Sequence, residues 1–439
     1  MFGDPSTDQP PPQANPQSGP PPALLGFGGL GADTLTLGGQ LLTRIESTLQ
    51  EDTDDGDQPF RAPSLFSLYV DGRPTPRLRV YFRGRVLYTP TAGGNAQSTS
   101  DGSADPLAGL GTQQVTRQLD QLWLKFDIDR VAFVTLGAQP IRWGTGRVWN
   151  PTDFINQNFR DPLAFADLRT GVGAAKIHLP LADGTVNLYG LALADGASTL
   201  GDLGAAFRLE AAVDTTEVAV STALGRGQPA RIGMDLSTGV GPLELRGEVA
   251  LAGRQRRTAP NALTGLFVDP WLETLPEPPP PLDHPFMRAM AGFEWQIDYG
   301  VGGRESLFLG AEYFYNQAGV DDPDAYPALL LTGNYQPFYL GTHYAAAFAL
   351  LPAPGDWDDT TFILTGIANL SDGSGVLRLN TSVVVLDKLS VQPFVSGRFG
   401  PRGSEFRLAF DLPALSDLNP AVSVPPPLAD LGLWLSLAF

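Results

Sequence analysis

The sequence predicts an all-β fold: an antiparallel transmembrane β-barrel of about eighteen strands, with about sixteen as the alternative count. Three observations carry this expectation. Side chains alternate with period two along most of the chain, charge is scarce beside an ordinary apolar content, and the connections alternate between short and long.

Residues 77–88, RLRVYFRGRVLY, show the alternation most plainly. Arg77, Arg79, Arg83 and Arg85 fall on odd positions, and Leu78, Val80, Phe82, Val86 and Tyr88 on even ones. Successive side chains of a strand point to opposite faces, so one face is cationic and the other apolar. A water-exposed sheet and a membrane barrel can both carry such a strand.

Composition favours the barrel. Of 439 residues, 43% are hydrophobic and only 17% charged, against about a quarter charged in soluble domains. Gly 50 and Pro 40 point to many turns. No apolar run nears the roughly 20 residues of a spanning helix. The opening MFGDPSTDQPPP has neither a basic nor an apolar signal region. It reads as a cytosolic start or as a numbering that begins on a mature or trimmed chain. The absence of cysteine removes disulfide and thiolate chemistry, and a net charge of −18 argues against nucleic acid.

Residues 1–33 are proline-rich, with QPPPQANPQSGPPP, and read as a flexible periplasmic tail. From residue 34 to residue 439 the chain reads as barrel. Alternating segments are expected near 34–48, 62–72, 76–88, 115–128, 131–140, 170–179, 184–194, 204–211 and 214–224. Further ones follow near 230–239, 242–252, 287–299, 304–316, 338–350, 360–370, 374–386, 388–399 and 429–439. Connections such as DGRP, PLADG and YGVGGRE are short, whereas 49–61, 89–114, 141–169, 253–286, 317–337 and 400–428 are long. Outer-membrane barrels have short periplasmic turns and long outer loops, which would leave both termini periplasmic. The even strand count of such barrels assigns FRLAF at 406–410 to a hairpin within the last outer loop.

The chain ends ADLGLWLSLAF, with Leu431, Leu433, Leu435, Leu437 and Phe439 on one face. A soluble edge strand exposing that row would invite aggregation; a lipid-facing one would not. The ending resembles the closing strand of bacterial outer-membrane proteins, which implies recognition by the barrel-assembly machinery through Phe439.

In a barrel the arginines turn inward. Arg77, Arg79, Arg83, Arg85, Lys125 and Lys176 are the expected pore-lining cations, with His178, Arg231, Arg246 and Arg378 as further candidates. Asp127, Asp235, Glu244, Glu248, Glu294, Asp298 and Glu312 are the expected inward acids. Guanidinium forks suit carboxylates, so one reading is a path for an anionic or hydroxyl-rich solute. The other is that the basic and acidic arcs pair and merely keep the lumen polar.

The most distinctive stretch is 141–169, within IRWGTGRVWNPTDFINQNFRDPLAFADLRTGVG. Gln139, Trp143-Gly144, Asn150-Pro151, Asp153, Arg160-Asp161-Pro162, Arg169 and Gly171-Val172, with EYFYN at 312–316 and LGTHYAA at 340–346, resemble the alginate-export-like barrels associated with exopolysaccharide export. The resemblance implies a large outer-membrane barrel acting as a conduit for anionic polysaccharide, with separate periplasmic export partners. Lipid and lipopolysaccharide would surround it. The rival expectation is a porin importing small anionic or hydroxylated solutes. A structural anchor is a third. The segment is expected to fold inward and narrow the pore, presenting Arg142, Trp143, Arg147, Trp149, Asn150, Asp153, Arg160 and Arg169. The alternative is a lid outside the lumen. Asn150-Pro151-Thr152-Asp153 reads as a turn or a capped helix start.

Other chemistry is weakly signalled. EDTDDGDQ at 51–58 lacks EF-hand spacing and reads as a solvated acidic loop. His178, His284 and His343 are far apart without zinc spacing, and no nucleophile elbow or P-loop occurs. No enzyme activity, cofactor or metal is expected, and the barrel is expected to be monomeric.

Overall fold

The computed structural model describes residues 34–90, 115–156, 160–164, 167–225, 228–255, 270–300, 302–303, 305–415 and 421–439. The tail at 1–33 and most of the 89–114 connection lie outside these residues. Eighteen antiparallel strands close into a barrel. The first nine are β1 Leu35–Gln50, β2 Ser64–Thr75, β3 Leu78–Tyr88, β4 Val115–Ile128, β5 Ala132–Gln139, β6 Val172–Leu181, β7 Val186–Leu193, β8 Gly204–Val213 and β9 Thr216–Gly225. The other nine are β10 Gln228–Val240, β11 Leu243–Ala252, β12 Phe286–Tyr299, β13 Glu305–Asn316, β14 His343–Pro352, β15 Thr360–Asn369, β16 Ser374–Leu386, β17 Leu389–Phe399 and β18 Pro427–Ala438.

Each strand pairs with its chain neighbours, and β18 closes the ring on β1 from Gln40 opposite Ala438 to Gln50 opposite Pro427. At the seam Gly39 N donates to Phe439 O at 2.9 Å and Phe439 N to Gly39 O at 3.0 Å. The terminal ring stacks on Phe66 with centroids 5.8 Å apart. Closure matters physically because it removes the unpaired edges that neither lipid nor water-free packing could satisfy.

Burial is inverted relative to a water-soluble domain. On β3, Val86 is 37% exposed while Arg85 beside it is 7% exposed. Phe82, Leu119, Phe207, Val249, Trp295, Leu377 and Leu431 are exposed in the same way, and Arg44, Asp71, Asp120, Arg208, Asp235, Glu248 and Asp430 are buried. Period-two geometry makes this a single choice for each strand: a slip by one residue would turn every charge to the apolar side. Facing lipid, a cation near the midplane would cost about 2–4 kcal/mol.

The short connections, including 76–77, 129–131, 214–215, 241–242 and 387–388, share one end with the start of β1 and the end of β18. At the opposite end lie 51–63, 140–171, 317–342 and 400–426.

Three details differ from the sequence expectation. Arg77 lies in the turn before β3, not in the arginine row, because the register shifts between Gly72 and Thr75. The segment expected from residue 338 begins at His343, because Phe338 adopts φ +67° inside a loop. FRLAF is not a strand: Glu405–Arg407 form a short 3₁₀ turn, and only Phe410–Leu412 pair, with Val422–Val424. Burial of Phe406 and Leu408 against the loops outweighs the alternation there.

Candidate solute path and the segment that crosses it

Residues 140–171 connect β5 to β6, and the described ones among them, 140–156, 160–164 and 167–171, pack inside the barrel. Two wall carboxylates hold them. Glu248 of β11 accepts from Thr145 N at 2.6 Å, Gly146 N at 2.9 Å, Thr152 N at 3.1 Å and Thr152 Oγ1 at 2.8 Å. Glu312 of β13 accepts from the amides of Arg147, Val148 and Trp149, the last two at 2.9 and 3.2 Å. Successive amides in a turn make a concave anion site; here the wall itself supplies the anion. The turn depends on glycine. Gly144 has φ +93°, and a Cβ there would stand 2.7 Å from the Glu248 carboxylate; at Gly146 it would stand 1.9 Å from Trp149 O.

Trp149 is fully buried. Its Nε1 donates to Phe338 O at 3.0 Å, and its ring stacks on Phe314 at 5.4 Å and tilts against Tyr344 at 5.7 Å. Further ties come from other sectors. Arg85 of β3 donates to Leu168 O at 2.6 Å, Arg231 of β10 to Phe154 O at 3.2 Å, and Gly171 N to Asp120 O of β4 at 2.9 Å. Apolar contacts repeat the pattern: Ile141, Trp143, Phe154 and Ile155 pack on the β6–β11 wall, and Leu168 packs near the seam.

The charged residues of the segment are engaged. Arg147 meets Glu294 at 2.9 Å, Arg142 meets Asp167 at 2.9 Å, and Arg169 meets Asp153 and Asp167, each at 2.9 Å. Arg160 donates to Arg147 O at 3.3 Å. Burial pushes the Asp153 carboxyl up, against the pull of Arg169. The guanidinium of Arg208 lies 5.7 Å from the Trp143 ring. Asn150 opens a turn, accepting from Asp153 N at 3.1 Å. The stretch goes no further toward a helix, because Thr152 is spent on Glu248 and Asp153 on Asn156 and Arg169.

On the wall each arginine of the row has an acid partner, though two of them share one. Arg79 binds Asp71 through two bonds of 2.8 and 2.9 Å and lies 5.3 Å over Trp123. Arg83 and Arg85 share Asp120, Arg85 at 3.0 Å. The register jumps from Arg83 opposite Gln121 to Gly84 opposite Leu119, so Asp120 is the extra residue of a β-bulge and can turn inward beside Gln121. Arg77, at the rim, meets Asp127 at 2.8 Å. Across the barrel Arg208 pairs with Asp235 at 2.6 Å, Arg246 with Glu244 at 2.6 Å and Arg398 with Asp430 at 3.0 Å. Acids thus stand beside the arginine row as well as across the barrel from it.

Three inward cations are placed differently. Among the described residues Lys125 and Lys176 have no ion pair, and Arg378 donates to Asn380 Oδ1 at 3.1 Å while its guanidinium lies 3.7 Å from the Phe394 ring centre. Arg378 lines a cleft between residues 161–163 and the closing seam, together with Arg44, Asp161, Phe338, Arg398 and Asp430.

Sequence reasoning missed Glu405, which the fold buries completely in the 400–426 connection. Phe338 N, Tyr344 Oη (2.6 Å) and Asn369 Nδ2 (2.8 Å) donate to its carboxyl, and its own amide donates to Asp372 at 2.8 Å. Burial pushes its carboxyl up to about 8, with the donors partly offsetting that effect. This knot joins the 317–342 and 400–426 connections to Trp149 through Phe338. Two of the five acidic residues of 51–58 also have partners here: Glu51 meets Arg407 at 2.6 Å and Asp52 meets Arg402 at 3.3 Å.

No family model matches the chain, and no curated protein matches it in sequence. Solved structures are similar over nearly its full length. OccK9 (OpdG) of Pseudomonas aeruginosa is 11% identical, over 93% of this chain and 98% of that one, with a TM-score of 0.56. OccK5 (OpdH) of the same organism is 9% identical over 93% and 98%, with a TM-score of 0.52. OpdK, described as an outer membrane protein of P. aeruginosa, is 8% identical over 92% and 98%, with a TM-score of 0.50. At these identities the likeness is one of fold. It does not single out the alginate-export-like barrels, whose resemblance rests on the motif residues alone.

Proposed function

We propose that the chain is a bacterial outer-membrane channel of porin type, a route for small solutes narrowed by residues 140–171. The observation that carries the reading is the pairing of an apolar exterior with a charged interior, crossed by a segment that Glu248 and Glu312 hold by its backbone. A barrel of this strand number has room for water, and charged rings and constrictions are how such channels select. The Arg378 cleft, with its guanidinium stacked and free of a bound carboxylate, supports small anionic or hydroxylated solutes. The solved likeness of OpdK with vanillate, an aromatic carboxylate, runs the same way. Export of polysaccharide, with its periplasmic partners, finds less support: Trp149, Phe314, Phe338 and Tyr344 pack where a polymer would pass. In this reading the short-turn end and both termini are periplasmic, lipid and lipopolysaccharide meet the apolar band, and Phe439 is the feature the assembly machinery would read.

The test is conductance of the refolded protein in a planar bilayer, beside a variant lacking 144–166 and the double substitution Glu248→Gln/Glu312→Gln. Small openings in the wild type, and larger ones in either variant, are expected. Equal conductance in all three folded proteins would refute the narrowing, and no conductance in any would refute the channel.

A further inference from the structure

Lys125 and Lys176 stand apart from every acid that neutralises their neighbours. Lys125 of β4 is opposite Thr135 of β5, and Thr135 is opposite Lys176 of β6. The two lysines therefore sit at one level of the inner wall, two strands apart, with their backbones roughly 10 Å from each other. Lysine stems are long enough for both ammonium groups to lean over Thr135 from opposite sides.

The surrounding acids are committed elsewhere. Arg79, next along the same level, is held by Asp71 through two bonds. Asp127, two residues beyond Lys125 on the same face, is held by Arg77 and by Arg130 N. Glu210 is held by Arg208 at 2.6 Å. His178, two residues beyond Lys176, bonds to Asn187 Oδ1 at 2.8 Å and stacks on Tyr189 at 4.5 Å. The ammonium of Lys125 faces the Phe133 ring at 5.9 Å. Like charges at this spacing repel in the empty barrel, and an anion between them relieves that repulsion and gains two charge-assisted hydrogen bonds.

We propose that Lys125, Thr135 and Lys176 form a binding station for a compact dianion on the inner wall near the short-turn end, separate from the Arg378 cleft. It rests on the reading of the lumen as a solute path. Two cations with no counter-charge among the described residues favour two negative charges over one. The ligand is a single doubly charged group such as hydrogen phosphate, or a short dicarboxylate that gives one carboxylate to each lysine.

Equilibrium binding to the full-length barrel, folded in detergent at pH 8, tests the station whether or not the channel conducts. Hydrogen phosphate, succinate and acetate are the probes, and circular dichroism confirms the strand content of each variant. Saturable binding of phosphate or of succinate, tighter than that of acetate, is expected; the tighter of the two shows whether the station takes one doubly charged centre or two single ones. Lys125→Gln or Lys176→Gln weakens it roughly fivefold each, whereas Lys125→Arg and the control Lys388→Gln do not. Acetate bound as tightly as both dianions, or dianion binding unchanged in the folded Lys125→Gln/Lys176→Gln protein, would overturn the station. A station that binds in a barrel that never conducts would sink the channel reading and leave the station standing.

Discussion

Two sectors of the inner wall carry similar charge on opposite terms. Around β2–β4, Arg79, Arg83 and Arg85 are locked to Asp71 and Asp120. On β4 and β6, Lys125 and Lys176 face the interior with no acid bound among the described residues. A buried guanidinium needs its partner because stripping water from a lone charge costs several kcal/mol. A partly hydrated ammonium does not. On the proposed path the ion-paired arginines belong to the architecture and the lysines face a passing solute; Arg378, itself buried, is held by Asn380 and the Phe394 ring in place of an acid.

The largest break in this contrast comes from Asp120→Asn. It removes the buried carboxylate that Arg83 and the buried Arg85 share, and we expect a loss of about 3–5 kcal/mol, read as a lower urea midpoint of the folded barrel. Lys125→Gln should leave that midpoint within about 0.5 kcal/mol of wild type. If both substitutions cost the same, the division between structural and solute-facing charge is wrong.

Arg378→Gln ranks next. It removes a stacked cation from the cleft beside Asp161, and the reversal potential in a salt gradient should shift toward cations while the fold persists. Replacing the paired Arg79 and Asp71 together (Arg79→Gln/Asp71→Asn), which leaves the net wall charge unchanged, should shift it less. An equal shift would mean that pairing does not silence the wall arginines.

Glu405 supplies a third kind of charge, an acid buried among donors with no cation paired to it among the described residues. Its carboxyl titrates near 8 when folded, above the ordinary range near 4.3, so the folded protein holds that proton more tightly. The stabilisation is complete below the ordinary range and fades as pH rises toward 8. The thermal midpoint of the wild type should therefore fall between pH 5 and pH 9 by more than that of Glu405→Gln. Parallel pH profiles would remove Glu405 from the account.

The barrel was largely legible because period-two alternation is written locally. Leu431, Leu433, Leu435, Leu437 and Phe439 face outward as their spacing requires, and the eighteen strands follow the expected segments within a few residues. Asp120 was hidden because a bulge changes which face a residue takes, and one extra residue leaves no mark in the pattern. The inward acids Glu248 and Glu312 were visible as inward, but their partners are backbone amides more than 90 residues away in sequence, and an amide has no side chain to read. Glu405 was hidden in a stretch whose alternation imitates a strand. The tryptophans and glycines that marked 141–169 in the sequence, Trp143, Gly144, Gly146 and Trp149, are among those that meet the wall, and what each charge of the segment would meet was not legible.

The central claim is that a fastened segment, not the barrel wall, sets the width of the path. The most direct measurement is single-channel conductance of the wild type against Glu248→Gln/Glu312→Gln in the same bilayer and salt. A severalfold larger or more frequent opening in the double variant, with strand content preserved, is the result this account predicts. Identical traces from two correctly folded barrels would contradict it.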